Sequence, residues 1–200
     1  MPKQYDRAYF EKWYRNPQHR VTSPAALARK VRMVVGITEY YLGRELRNVL
    51  DIGCGEAPWS IHLRNFRRNA SYIGLDQSSY AVERYGRSRN VQRAGFDEVG
   101  RYAAGGPFDL VVCADVLHYV DDGDLERGLE PLAAMTAGVA FLEVLVDEDD
   151  PSGDLSGWHR RTALWYTKRF RAAGLIPCGL QCYLPPKVAE SAAELELSKR

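Results

Sequence analysis

Long apolar runs are missing from this sequence. Its longest stretch without a charged residue covers positions 172–186, only 15 residues, and Gly174, Pro177, Gly179, Pro185 and Pro186 interrupt it. A membrane-spanning helix wants about 20 apolar positions in a row. An apolar leader is missing too: Lys3, Asp6, Arg7, Glu11 and Lys12 crowd the start of the chain, where a secretory signal would carry its apolar core. Cysteine is scarce. Four residues (Cys54, Cys113, Cys178 and Cys182) are too few for a disulfide framework, and their apolar surroundings suit free thiols. No His or Cys pair stands at zinc-like spacing from a second pair, so no metal site is expected. Repeats and low-complexity tracts are absent as well. These absences lead to the expectation of a soluble, cytoplasmic protein without a membrane segment.

The 200 residues, 46% hydrophobic and 26% charged, match one globular domain and exclude a disordered or coiled-coil chain. A net charge of +1 conceals an asymmetry: residues 1–101 sum to +8 and residues 102–200 to −7. Such a split marks either an anion-binding face or two solvated faces of one domain. The scatter of the arginines favours the second.

Apolar runs alternate with helical periods. Residues 5–15 place Tyr5, Tyr9, Phe10, Trp13 and Tyr14 on one helical face. Ser23-Pro24 reads as the capped start of a helix ending near Gly43. From Asn48 onward, short apolar runs at 48–53, 71–76, 90–93, 107–116 and 138–146 read as strands, each followed by a helical or irregular segment. Residues 161–175 return to a helical period, 176–184 read as a last strand, and the tail from Pro186 as a helix. Cys178 and Cys182, at an even offset within that last run, would share one face and pack in the core. This alternation is the signature of βαβ units and a parallel sheet covered on both faces. The expected fold is therefore α/β and Rossmann-like, doubly wound, with six or seven strands. The expected division has an N-terminal helical segment at 1–43, a core at 48–183 and a C-terminal helix at 184–200. A ligand crevice belongs where the strand order reverses, beyond the carboxyl ends of the strands.

Asp51-Ile52-Gly53-Cys54-Gly55 carries the most chemistry. A buried strand ends in an acid, two glycines follow at alternate positions, and a helix begins. Glycines there let the backbone turn tightly and approach a ligand closely. Pro58 breaks the G-x-G-x-x-G dinucleotide pattern, and no Gly-Lys-Ser/Thr follows, so neither that fingerprint nor a P-loop is present. An acid leading into the loop repels pyrophosphate and suits a ligand with a cationic head. Asp76, at the end of the second strand, stands where a carboxylate accepts from both ribose hydroxyls of a nucleoside. Phe96 and Asp97, after the third strand, stand where an adenine would lie, with Gln77 as a further neighbour. Ala114 and Asp115 end the fourth strand at the same edge. Asp51 also has a plain alternative role as a helix cap, and Cys54 reads as a compact filler.

From VLDIGCGE through YIGLDQS and GFDEVG to FDLVVCADVLHYV, the chain resembles the class I S-adenosylmethionine-dependent methyltransferases over residues 48–183. The resemblance implies S-adenosylmethionine as cofactor and S-adenosylhomocysteine as product. It implies that Asp51, Gly53 and Gly55 wrap the methionine part, Asp76 holds the ribose, and Phe96 and Asp97 meet the adenine; Cys54, Gln77, Ala114 and Asp115 complete that expected set. The sequence departs from the family where a third glycine often stands, because that position is Ala57. It also departs at the tail, which runs into Pro185-Pro186 where an antiparallel strand pair is usual.

A general base needs reach to the substrate proton and a suitable pKa. His118, just past the fourth strand, and His159, after the acidic loop at 147–157, are the two candidates. Tyr9, Trp13 and Tyr14 on the N-terminal face, with Trp158, Arg160 and Arg161, are candidates for the acceptor pocket or a lid over it. The aromatic face is equally readable as core packing. The expected activity is methyl transfer to oxygen or nitrogen of a small-molecule acceptor by in-line displacement, which asks the protein mainly for positioning. Two alternatives stand beside it, an RNA- or protein-directed enzyme of the same fold and a catalytically silent cofactor-binding partner protein. Nucleic acid is not the expected partner, and the oligomeric state is open between monomer and homodimer.

Overall fold

The computed structural model describes residues 3–151 and 153–197; the outermost positions of the expected N-terminal segment and C-terminal helix lie outside the described residues. The chain begins with a short helix α1 (Arg7–Phe10), capped by Asp6 and continued as a wider π-helical turn over Glu11–Arg15. The amphipathic face expected at 5–15 is thus carried by two helical types. In α2 (Pro24–Leu42) the Ser23 hydroxyl accepts from the Ala26 N–H and Gly43 closes the helix in a left-handed conformation. Its inner face is Val31, Val34, Val35 and Thr38, a spacing that buries one stripe.

Seven strands form one sheet: β1 (Asn48–Ile52), β2 (Ser71–Asp76), β3 (Val91–Arg93), β4 (Phe108–Ala114), β5 (Thr136–Glu143), β6 (Ile176–Gly179) and β7 (Cys182–Leu184), ordered 3-2-1-4-5-7-6. The first five pair in parallel, and β7 runs antiparallel to both its neighbours. Helices α3 (Pro58–Arg64), α4 (Ser79–Arg89), α5 (Asp122–Met135), α6 (Ala163–Ala172) and α7 (Pro186–Ala189) complete the fold, with 3-10 segments at Phe96–Gly105 and Leu117–Tyr119.

Alternation along each strand divides the core. Val49, Leu110, Val112, Val139 and Phe141 face α2, while Leu50, Val111, Cys113, Ala140 and Leu142 face α5 and α6. Both faces of the sheet are dry, which is why the strands read as near-continuous apolar runs. The strand order reverses between β1 and β4, so the crevice opens above their carboxyl ends.

Three expectations are corrected. The last apolar run is a hairpin, with Leu180 and Gln181 in left-handed conformations at its turn; the antiparallel pair that the sequence appeared to lack is present. Cys178 and Cys182 therefore sit on different strands, although both still pack in the core. The tail helix is one turn, Pro186–Ala189, although Val188, Ala189, Ala192 and Leu197 still pack against the core. No helix among the described residues is long and apolar enough to cross a membrane.

Candidate active site

Above the carboxyl ends of β1, β2, β4 and β5 lies a cleft of about 820 Å³, within the range of small-molecule sites. Asp51, Gly53, Cys54 and Asp76 form its floor, Gln77, Phe96 and Asp97 one wall, and Ala114 and Asp115 another. Tyr5, Tyr9, Phe10, Trp13 and Tyr14 roof it. The structure therefore brings nearly all the expected cofactor positions to one cavity.

Asp51 is buried, and its carboxyl accepts a 2.6 Å hydrogen bond from the Tyr72 hydroxyl. Burial pushes its pKa up to about 7; Tyr72 opposes the rise and Asp76 adds to it. Asp76, also buried, accepts from the Gly55 N–H at 2.7 Å and the Ser78 N–H at 2.8 Å. Burial raises its pKa too, against the pull of those two amides. One carboxylate thus fastens the glycine loop to the start of α4. A carboxylate offers about four lone-pair directions, so two remain for a ligand.

The glycines are demanded by the protein itself. Gly53 has a φ of 69°, and a Cβ there would come 2.3 Å from Val116 Cγ2. Gly55, also at positive φ, would place a Cβ 3.0 Å from the Phe10 ring. Gly55 is covered by that ring and does not line the cleft, contrary to the expectation that it touches the ligand; its contribution is the N–H given to Asp76. Ala57 keeps the left-handed backbone, with a φ of 52°, so the missing third glycine changes the side chain and not the path.

At the β4–β5 edge, Asp115 also holds a positive φ of 62° and turns an exposed carboxyl toward the cleft, where protein surrounds it at longer range. Burial, with Glu143 nearby, raises its pKa to about 6. Lys30, from α2, binds both oxygens of Glu143 at 2.5 and 2.6 Å. His118 is fully buried and does not line the cleft, which corrects its expected reach to a substrate proton. Its Nδ1 accepts from the Leu145 N–H at 3.3 Å, and its Nε2 lies 3.5 Å from an Asp115 oxygen. Burial lowers its pKa to about 4, so it is neutral at ordinary pH and cannot reach an acceptor. His159 does line the cleft.

Of the remaining candidates, Tyr9, Trp13 and Tyr14 line the cavity, whereas Trp158, Arg160 and Arg161 do not. Arg161 is buried as a brace, donating to the carbonyls of Leu117 and Val120 and to Asp122. Arg160 pairs with Asp147 at the surface and lies over the Trp158 ring. Their chain direction turns them away from the crevice, a fact that composition alone does not carry.

Several residues not singled out from the sequence hold the roof down. Ser78 Oγ donates to the Tyr5 carbonyl at 2.5 Å. Arg15 donates to Glu56 and to the Tyr80 hydroxyl. Phe10 stacks on Tyr80, with ring centroids 5.6 Å apart. Lys3 pairs with Asp154 across the opening at 2.8 Å. The signal available in the sequence was the aromatic face itself; its partners lie 40 to 150 positions away.

A methyltransferase-domain family matches residues 13–186. An uncharacterized protein of Synechococcus sp. is 33% identical over 112 residues, which are 52% of this chain and 26% of that protein. The chain thus spans about a quarter of the length of the curated relative it matches. Among solved structures, a SAM-dependent methyltransferase from Archaeoglobus fulgidus superposes with a TM-score of 0.60 at 16% identity, over 84% of this chain and 73% of that one. DesVI of Streptomyces venezuelae gives 0.63 at 15%, over 84% and 94%. At such identities the likeness is one of fold.

Proposed function

The chain belongs to the methyltransferase-domain family, and from that premise we propose that it moves the methyl group of S-adenosylmethionine to oxygen or nitrogen of a small-molecule acceptor, leaving S-adenosylhomocysteine. The observation that carries this reading is Asp76: buried at the end of β2, fixed by two backbone amides, and with lone pairs left toward the cleft. Such a carboxylate fits two ribose hydroxyls. Phe96 and Asp97, on the adjoining wall, fit the adenine, and Asp51 with the surrounding tyrosines suits a cationic head. Bound S-adenosylmethionine supplies a methyl carbon activated by its sulfonium.

The residues of the chain then have three tasks. Asp51, Gly53 and Asp76 orient the methyl donor. The aromatic roof excludes water and narrows the remaining volume to a small acceptor. Asp115 and His159, both facing the cleft, stand within reach of a proton that an acceptor must lose. The acidic lining speaks against the RNA-directed alternative, since a phosphate backbone would meet carboxylates at this opening.

Calorimetric titration tests the reading. The unaltered protein should bind S-adenosylmethionine and S-adenosylhomocysteine saturably, one per chain, and Asp76→Asn should bind both more weakly. No binding by the unaltered protein overturns the proposal.

A further inference from the structure

An ammonium group already sits against tyrosines that line the cleft. Lys3 Nζ lies 3.7 Å from the centre of the Tyr119 ring and 5.4 Å from those of Tyr5 and Tyr9. It also pairs with Asp154 at 2.8 Å and donates to the Ser156 carbonyl at 3.2 Å. The Tyr119 hydroxyl donates to the Asp154 carbonyl, which ties one ring to the carboxylate's own residue. Three ring faces and one carboxylate around a single nitrogen make an aromatic cage, the arrangement that recognises organic ammonium ions. All four cage side chains also line the cleft, so the cage adjoins the space of the proposed methyl donor.

We propose that the methyl acceptor is an organic amine that binds as its ammonium in the cage of Tyr5, Tyr9, Tyr119 and Asp154, displacing Lys3, and yields a proton to Asp115 before it is methylated. The inference rests on the methyltransferase reading and names its acceptor class. Charge supports it: the lysine that lines the cleft, Lys30, is paired with Glu143, and Asp115 turns a carboxyl toward the same space. Burial and Glu143 raise the Asp115 pKa while Lys30 and then Lys3 pull it down, so the carboxyl is poised to hold a proton transiently. His118 stands beside that carboxyl, its Nε2 3.5 Å from an Asp115 oxygen and without a hydrogen-bond partner of its own among the described residues. Because its Nδ1 accepts the Leu145 N–H, the neutral imidazole carries its hydrogen on Nε2, which faces the Asp115 oxygen. The balance is complete. An ammonium N–H proton passes to the Asp115 carboxylate, and the freed lone pair forms the N–C bond. The C–S bond breaks with its electron pair staying on sulfur as a neutral thioether, and the product is a methylated ammonium. The Asp115 proton then leaves to water.

Choline and its uncharged isostere 3,3-dimethylbutan-1-ol read the cage in full-length protein saturated with S-adenosylhomocysteine. Lys3→Ala should bind choline about tenfold more tightly than the unaltered protein does, and about tenfold more tightly than it binds the alcohol. Adding Tyr119→Leu should erase that preference; if this double variant fails to fold, the Lys3→Ala comparison decides alone. With labelled S-adenosylmethionine, a pool of primary and secondary amines should gain methyl groups, while carboxylic acids and phenols should not. Asp115→Asn should slow amine methylation near neutral pH and recover as pH rises and free amine accumulates; an unchanged pH profile removes Asp115 from the proposal. Equal affinity of Lys3→Ala for choline and the alcohol, or label in the acids and phenols, overturns the cage. If S-adenosylhomocysteine itself does not bind, the methyltransferase reading fails; if it binds and choline gains nothing, only this inference fails.

Discussion

Two buried carboxyls dominate the floor of the cleft, and they make opposite demands on folding and binding. Asp51 has a folded pKa of about 7, above its unfolded value near 4. The folded state therefore holds the proton more tightly, and stability falls as pH rises through that window, levelling off above about 7. Asp51→Asn removes the charge while an amide oxygen still accepts from Tyr72. It should raise ligand-free stability at pH 8 by on the order of 1–3 kcal/mol, a gain that shrinks as pH drops from 7 toward 4; thermal unfolding at several pH values reads it. A cationic ligand prefers the ionised form, so the affinity for S-adenosylmethionine should climb across the same window. Asp76 is tested by Asn in place of Ala, because Ala would orphan the N–H groups of both Gly55 and Ser78, whereas Asn keeps an acceptor for one of them and removes the charge. Asp76→Asn should weaken cofactor binding by about 1.5–3 kcal/mol, the range for hydrogen bonds to a charged group. An unchanged dissociation constant would move the ribose elsewhere.

Among the elements, the roof formed by residues 3–16 invites a direct measurement. Phe10 is 1% exposed, which would suit a core residue, yet its neighbours are Tyr80, Tyr14 and the glycine loop and not the sheet. If the segment docks as a unit, the cost of Phe10→Ala is capped by its docking free energy. We expect a loss of about 1 kcal/mol in global stability, against the ~3–5 kcal/mol typical of a core phenylalanine. Amide exchange at residues 7–15 should quicken in the variant and slow on cofactor binding. A full core-sized loss would make the segment part of the core. Sequence patterns located β1, β2, β4 and α2 because burial and capping are local: VLDIG is buried on both faces, and Ser23-Pro24 with Gly43 brackets a helix. The β6–β7 hairpin escaped because its turn uses Leu180 and Gln181 at positive φ without the Asn-Gly or Gly-Gly that normally marks one. The fate of His118 escaped for another reason: four residues past a strand, only tertiary packing decides whether a ring faces a cleft or the interior.

For the whole molecule, the uneven charge of the sequence acquires a location. The cleft is ringed by Asp97, Asp115, Asp121, Asp124, Asp150 and Asp154, most of them from the acidic half of the chain. Such an opening steers cations and is screened by salt, since the Debye length shrinks from about 10 Å at 0.1 M to about 3 Å at 1 M. The association rate of S-adenosylmethionine, a net monocation, should therefore fall about three- to tenfold across that range. S-adenosylhomocysteine, net neutral, should change little; stopped-flow fluorescence at several salt concentrations separates them, and equal slopes would dismiss the steering.

The antiparallel strand β7 lies between β5 and β6, with Cys182 and Leu184 fully buried. A chain emerging from the ribosome can pair β1 to β5 as they appear, but the outer edge of β5 stays open until residue 184 has cleared the exit tunnel. An open apolar edge is a template for unwanted pairing. Nascent or truncated chains that stop near residue 175 should consequently be the aggregation-prone species, and the interval before residue 184 emerges the one in which this fold most depends on chaperones.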